Sequence, residues 1–396
     1  MRNKINTFCL FRVISIIMFG VAAQAQEGVQ TSIHHHYESM RALGMGDAFI
    51  ASTNDYSALF YNPAALARRE SGQINLAIDA GWTAETTNLS KDFSDVSSKN
   101  TTTDAEKYNA YSELLQKYYG KTFTIRAKVF EGIWVRPNWG FGIVPADVTL
   151  DMQIHNQAAP SVDIRTYVDT TIAYAYAKDL KGLVPGRLSV GSNFKLINRG
   201  YANRQFNALD FVADSQVLKK EDLRDGYTFD MDWGTLYTPE VPSEGVLSVF
   251  QLAKPTFAAV VRNVVDMGFK NTMHLMSKDQ VEAPERLYRV LDVGAKFEYP
   301  SLWIFGGRGE VDVRDIGHPN FTVRRALHVG FEFDWSVTTW WRGHYRVGLN
   351  QGYYTAGISA MLFIFNLDFA TYGEEVGSYS QPKENRIYMA KLNIDI

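Results

Sequence analysis

The sequence predicts an all-β fold, a transmembrane antiparallel β-barrel of about fourteen strands. Three observations carry this expectation. From Gly72 to the C-terminus, apolar and polar residues alternate with period two, in segments mostly as long as the ~9–11 residues that a tilted strand needs to cross a bilayer. Long connections alternate with short turns along the chain, as in outer-membrane barrels. The first 25 residues read as an export signal. Composition removes other classes. The 396 residues carry 40 Lys+Arg against 43 Asp+Glu, a net charge of −3, which excludes a strongly basic nucleic-acid binder. With 46% hydrophobic and 21% charged residues the chain is not disordered throughout. The single cysteine, Cys9, allows neither a disulfide framework nor a Cys-based zinc site.

Arg2, Lys4 and Arg12 form a positive start, Val13 to Ala23 an apolar run, and Ala23-Gln24-Ala25 a cleavage site. Residues 1–25 are therefore expected to be a signal peptide, with Gln26 as the first mature residue. Cleavage would leave 37 basic against 43 acidic residues and no thiol. No other stretch approaches ~20 apolar residues, so a helical membrane protein is excluded. Residues 26–71 are rich in glycine and alanine and read as short helices and turns, with turn signals at Asn54-Asp55 and Asn62-Pro63.

Strands are expected near 72–82, 121–135, 138–152, 162–178, 186–200, 227–237, 255–266, 287–298, 302–314, 322–335, 339–349, 353–363, 364–373 and 386–396. With both ends in the periplasm, the odd-numbered connections face outward; these include 83–120, 201–226 and 267–286. The inward ones are mostly turns, such as Arg136-Pro137-Asn138. The inward stretch 238–254 is too long for a turn and is expected to hold a missed strand pair or a periplasmic element. Trp82, Tyr174, Tyr176, Trp335, Trp341 and Tyr345 lie near the ends of apolar faces, as interfacial girdles would place them. The last strand alternates Tyr388, Ala390, Leu392, Ile394 and Ile396 with Met389, Lys391, Asn393 and Asp395, and runs to the last residue.

The stretch Ser39-Met40-Arg41-Ala42-Leu43-Gly44-Met45-Gly46-Asp47-Ala48-Phe49, followed by Asp55 to Ala67 with Tyr61-Asn62-Pro63-Ala64, resembles the start of FadL-like outer-membrane barrels. The fuller pattern is closer to the PorV-like and TraF-like branch, which often carries Gly where this chain has Ala65. Lys254 to Asn263, Tyr345 to Gly352 and Tyr372 to Gly377 look like later strands of the same branch. The resemblance spans most of the mature chain and implies a fourteen-stranded barrel, 72–396, with 26–71 folded into the lumen as a hatch. In FadL-like transporters apolar molecules leave through a gap in the wall. PorV-like members instead bind exported cargo for a secretion system. The shared fold does not choose between these functions.

Candidate functional residues follow. Gly44, Gly46 and Asp47 suit either a hatch that packs on the wall and shifts, or a plain turn. Asn62 can hydrogen-bond its own backbone and Pro63 can start a short helix before Ala64; the resemblance adds a gating role. Arg308, Glu310, Asp312 and Arg314 share one strand face. Arg324, His328 and Glu332 line the next, with Arg342, His344 and Arg346 beyond. These lumen charges either pair with one another and the hatch or recognise a carboxylate. In the outer loops, Asp104 to Tyr119 reads as a helix with Tyr111, Leu114, Leu115, Tyr118 and Tyr119 near one side, and Leu209, Phe211, Val212, Val217 and Leu218 recur similarly. These loops either capture a greasy ligand or pack together over the barrel mouth. His34-His35-His36 reads as polar linker, with no adjoining carboxylate cluster, so no metal and no cofactor are expected. No catalytic constellation occurs, so the chain is not expected to be an enzyme.

The expected function is passive uptake of hydrophobic compounds, such as long-chain fatty acids, across a Gram-negative outer membrane. The alternative is a PorV-like barrel that binds or hands over an exported protein, or anchors a surface assembly. Expected partners are membrane lipid and an apolar small molecule, a protein being possible under the alternative, and no nucleic acid.

Overall fold

The computed structural model describes residues 32–98, 103–156, 160–213, 222–245, 248, 250–274, 283–302, 305–338, 340–378 and 381–396. The expected signal peptide, Cys9, Val217 and Leu218 lie outside the described residues. The strands are β1 (Gln73–Thr83), β2 (Thr122–Arg136), β3 (Trp139–Asn156), β4 (Pro160–Leu180), β5 (Arg187–Asn207), β6 (Arg224–Thr238), β7 (Thr256–Arg262), β8 (Val290–Leu302), β9 (Phe305–Ile316), β10 (Leu327–Ser336), β11 (Trp341–Asn350), β12 (Tyr353–Leu362), β13 (Phe365–Glu375) and β14 (Glu384–Asp395). They form one closed antiparallel barrel of fourteen strands, each paired with its neighbours in sequence. β1 closes onto β14 with Asn75 opposite Asp395 and Trp82 opposite Tyr388. Each expected strand therefore has its counterpart.

Period two explains the two faces. In β4, Ile172, Tyr174 and Tyr176 are exposed on the outside, while Ala173, Ala175 and Ala177 are buried inside. One aromatic row, Trp134, Tyr176, Trp233, Phe257 and Trp341, lies toward the end with short turns; Trp82, Tyr388 and Tyr354 lie toward the other. Such rows mark the two interfaces of a bilayer. Among the described residues no helix is long and apolar enough to cross a membrane.

Helices occupy the plug and the connections: α1 (Met40–Gly44), α2 (Ala58–Tyr61), α3 (Thr86–Ser98), α4 (Asp104–Lys117), α5 (Ala208–Ala213), α6 (Phe250–Ala253) and α7 (Val323–Ala326). Several boundaries differ from expectation. β5 runs on to Asn207, so the expected loop 201–226 shrinks. The stretch 239–255 holds α6 and, among the described residues, no strand pair. β10 begins at Leu327, because Thr322 caps α7 by accepting from the Arg325 amide at 3.2 Å; Arg324 thus sits on an outer turn rather than in the lumen.

Residues 32–71 lie inside the barrel. Tyr37, Met45, Phe49, Ile50, Leu59, Phe60, Tyr61 and Leu66 form a buried core with Ile133, Val135, Val144, Leu236, Val260 and the alanines of β4. The lumen of a small barrel is filled by side chains; here a folded segment fills it.

Candidate functional site

The plug is held by its backbone. On β9, Asp312 accepts from the amides of Phe49 (2.8 Å) and Ile50 (3.2 Å), and Glu310 accepts from the amide of Ala51. Three successive N–H groups in one turn make a natural seat for carboxylates. The Thr355 hydroxyl donates to the Gly44 carbonyl (3.0 Å), His328 Nδ1 bonds the Gly46 carbonyl (2.8 Å), and Asn193 donates to the Leu59 carbonyl (2.9 Å). Arg262 donates to the carbonyls of Phe60 (2.7 Å) and Tyr61 (3.0 Å). Asp47 pairs with Arg314 and accepts from the Tyr61 hydroxyl at 2.6 Å.

Glycines let the two backbones touch. Gly46 has φ +69° and faces the Leu349 and Val329 carbonyls on the wall. A Cβ on wall residue Gly330 would lie 2.1 Å from the Met45 carbonyl oxygen. Asn62 is buried, accepts from the Ala64 amide (3.1 Å) and donates to the Ile50 (2.9 Å) and Thr235 (3.1 Å) carbonyls; Pro63 opens the 3-10 turn Pro63–Arg68. The expected local device is present, and it also ties the plug to β6.

The lumen charges pair. Glu332 is fully buried among three guanidiniums: Arg41 of the plug (2.6 and 2.8 Å), Arg346 (2.7 Å) and Arg308 (3.3 Å). Arg308 also meets Asp334 (3.0 Å), as does His344 (2.7 Å). Arg324 pairs with Glu375 (3.2 Å) at the outer rim, and Arg342 is exposed beside Met361. The histidines are not a linker, and carboxylates do adjoin them, Glu38 from the plug itself and two from distant strands brought near by barrel closure. His34 meets Asp169 (3.2 Å) and stacks on Tyr167, and His35 meets Asp315 (3.1 Å) and Glu38 (3.5 Å). His36 is buried against Phe60. The three histidines line one cavity, each with its own partners. His318, on the outer connection beside them, has its imidazole pushed by burial down to about 4.

The outer helices do not cover the mouth. Val162 and Ile164 of β4 share the face of Ile172 and Tyr174, and the β4–β5 register is unbroken along this length. That face points out of the barrel. α3, α4 and α5 pack on it, with Leu89, Phe93, Tyr111, Leu114, Leu115, Tyr118 and Phe211 against Phe123, Met152, Ile154, Val162, Ile164 and Phe206. Between helices and wall lies a cavity of about 220 Å³ lined by carbon almost throughout, only Thr86 and Ser90 bringing hydroxyls. Of the expected capture residues, Leu114, Leu115 and Phe211 line it. Tyr118 is buried beside it on Phe123 and donates to Asp92 (2.6 Å), whereas Tyr119 and Leu209 are exposed away from it.

Ile125 of β2 also lines the cavity, and the outward face continues through Val129 and Phe130 toward Trp134. There the wall is irregular. Lys128 pairs with Asp147 and the next β2–β3 pair is Gly132 with Ile143, so 129–131 and 144–146 are unpaired across that seam. Pro145 offers no N–H to repair it. Behind this break the lumen is closed by Lys128 with Asp79 (3.4 Å) and Lys391 with Glu131 (2.7 Å).

No protein-family model and no curated protein matches this sequence. Solved structures do. The chain is similar to FadL-type channels. The Ralstonia pickettii toluene transporter TbuX matches at 10% identity and TM-score 0.45, over 89% of this chain and 97% of that one. A Pseudomonas aeruginosa FadL homologue matches at 9% identity and TM-score 0.41, over 92% and 98%. The Pseudomonas putida toluene transporter TodX matches at 8% identity and TM-score 0.40, over 94% and 97%.

Proposed function

We propose that this protein is an outer-membrane barrel for the passive uptake of hydrophobic compounds, fatty acids and small hydrocarbons included. The observation that carries the reading is the apolar cavity on the outward face of β2–β4. This pocket, open on one side, holds about 220 Å³, more than the ~150 Å³ that takes a benzene-sized molecule, so it admits a small hydrocarbon or part of an acyl chain. The mechanism is capture between the outer helices and the wall, then sideways release along Ile125, Val129 and Phe130 into the hydrocarbon layer. The role is binding and passage rather than bond chemistry. In this reading the plug, with Gly44, Gly46, Asp47, Asn62, Pro63 and Ala64, is a seal: its movement would break the hydrogen bonds to Asp312, Arg262 and Asn193 together.

The test is uptake of a labelled apolar compound by cells lacking paralogues, comparing the wild type with Leu115→Asp and Phe211→Asp at equal barrel levels. Each variant is expected to lower the rate at least about tenfold, since a carboxylate in an apolar cavity costs more than the ~1.4 kcal/mol that tenfold represents. Wild-type rates in both would sink the reading. The second reading, a barrel that holds an exported protein, draws on the same sealed lumen; it predicts unchanged uptake and a polypeptide that co-purifies stoichiometrically.

A further inference from the structure

We propose that the underside of the plug holds an anion-binding site, reached from the periplasmic end, for a ligand bearing a carboxylate or a phosphate. The inference is independent of the outer-wall cavity. The site is a second cavity, of about 200 Å³, between the plug and the inner faces of β6, β8 and β9. Arg68 and Arg69 line it from the plug, and Lys296 and Arg308 from the wall; the one carboxylate among its lining residues is Glu298.

Local pairing leaves this cavity positive. Glu298 is matched to Lys296 at 2.9 Å, and Arg308 is matched to Glu332 and Asp334. Among the described residues neither Arg68 nor Arg69 has a carboxylate within ion-pair distance. Elsewhere in the lumen the buried guanidiniums do find one: Arg41, Arg126, Arg262, Arg314 and Arg346 each meet an Asp or a Glu. Arg68 and Arg69, half-buried on the underside of the plug, have none.

The two arginines differ in what they can still donate. Arg68 is occupied by neutral acceptors: the hydroxyls of Ser189 (2.9 Å) and Thr238 (2.7 Å) and the carbonyls of Leu236 (2.9 Å) and Arg187 (3.1 Å). It contributes charge. Arg69 gives one bond to the Asn54 carbonyl (2.8 Å) and one to Gln73 Oε1 (3.2 Å). Its Nε is buried and has no partner. A guanidinium carries five N–H donors in a planar fork, so beyond the buried Nε Arg69 keeps one further N–H on each terminal nitrogen. A planar fork beside a second cation is the arrangement that recognises carboxylate and phosphate. Because the plug seals the barrel above, the ligand comes from the periplasmic side.

The test uses the full chain in detergent micelles, titrated calorimetrically with inorganic phosphate and, separately, with glutarate, at ionic strength held constant with sodium chloride. Saturable binding that chloride does not reproduce is expected, and Arg69→Gln is expected to weaken it at least about tenfold. Phosphate binding alone assigns the site to a phosphorylated ligand; glutarate binding alone assigns it to a carboxylate, such as an acidic side chain of a periplasmic protein. If Arg69→Gln disturbs the fold, judged by heat-dependent gel mobility, Lys296→Gln carries the test, with weaker binding expected. Absence of saturable binding by either anion, or wild-type affinity in the folded variant, overturns the proposal.

Discussion

At the scale of single residues, Glu332 is the position where most depends on one atom pair. Its carboxylate is shared by Arg41, Arg308 and Arg346 inside the barrel, each of which has one further carboxylate, Asp55, Asp334 and Asp368 in turn. Glu332→Gln keeps the shape and removes the central charge, leaving three guanidiniums crowded around a neutral amide with one carboxylate each. Breaking a buried ion pair from one side costs about 3–5 kcal/mol. The urea midpoint of the unfolding barrel is expected to fall accordingly; a change below about 1 kcal/mol would mean that water already solvates the cluster. Gly330 is a steric counterpart. Its missing Cβ leaves room for the Met45 carbonyl, which would otherwise lie 2.1 Å away. Gly330→Val therefore pushes the plug off β10. Planar-bilayer recordings should show a rise in conductance over a closed wild-type baseline, and silent recordings would show that the plug yields without opening a path.

Elements raise a different question, namely how strand seams differ along the wall. The β2–β3 seam lacks pairing at 129–131 and 144–146. Amide exchange in detergent should be faster at Val129, Phe130 and Ala146 than at Phe123 to Ala127, which are paired in register with Val148 to Met152. Equal protection on both sides would mean that the irregularity is as rigid as the ladder. The strands themselves were legible from the sequence, because lipid-facing residues are large and apolar while lumen-facing ones are mostly polar or small, exceptions such as Ile133 and Val135 packing on the plug. The docking face of the outer helices was not. Val162 and Ile164 continue the apolar phase of Ile172 and Tyr174, and that phase looks the same whether lipid or a helix covers it. The helix Asp104–Lys117 was readable from its apolar side; its Thr103 cap is a finding of the structure. The grip on the plug was also invisible, since it falls largely on peptide groups, which every residue carries. Only the glycines at 44 and 46 hinted at a close backbone approach. Of the carboxylates beside His34 and His35, Glu38 is local, whereas Asp169 and Asp315 come from β4 and β9, too distant in the chain for spacing to reveal.

For the whole molecule, plug and wall form one electrostatic unit. Removing residues 32–71 exposes Asp312, Glu310, Arg262 and Arg314 to an emptied lumen without their plug partners. The truncated barrel is expected to unfold at a lower temperature and to conduct ions, while uptake of apolar compounds, if it follows the proposed outer-wall route, persists. Thermal gel-shift, conductance and uptake on the same preparation check the three parts. Loss of uptake with retained barrel would place the apolar route back through the lumen.

The distribution of the plug's anchors also sets an order of assembly. The segment precedes β1 in the chain, yet many of its ligands belong to late strands: Asp312 on β9, His328 and Glu332 on β10, Thr355 on β12, Lys391 on β14. A segment synthesised before the barrel thus finds its full set of partners only when the last strands arrive. The β1–β14 seam joins the two ends of the barrel, so the seat of the plug is complete only once that seam has closed. The grip on the plug is in that sense the last thing the chain finishes.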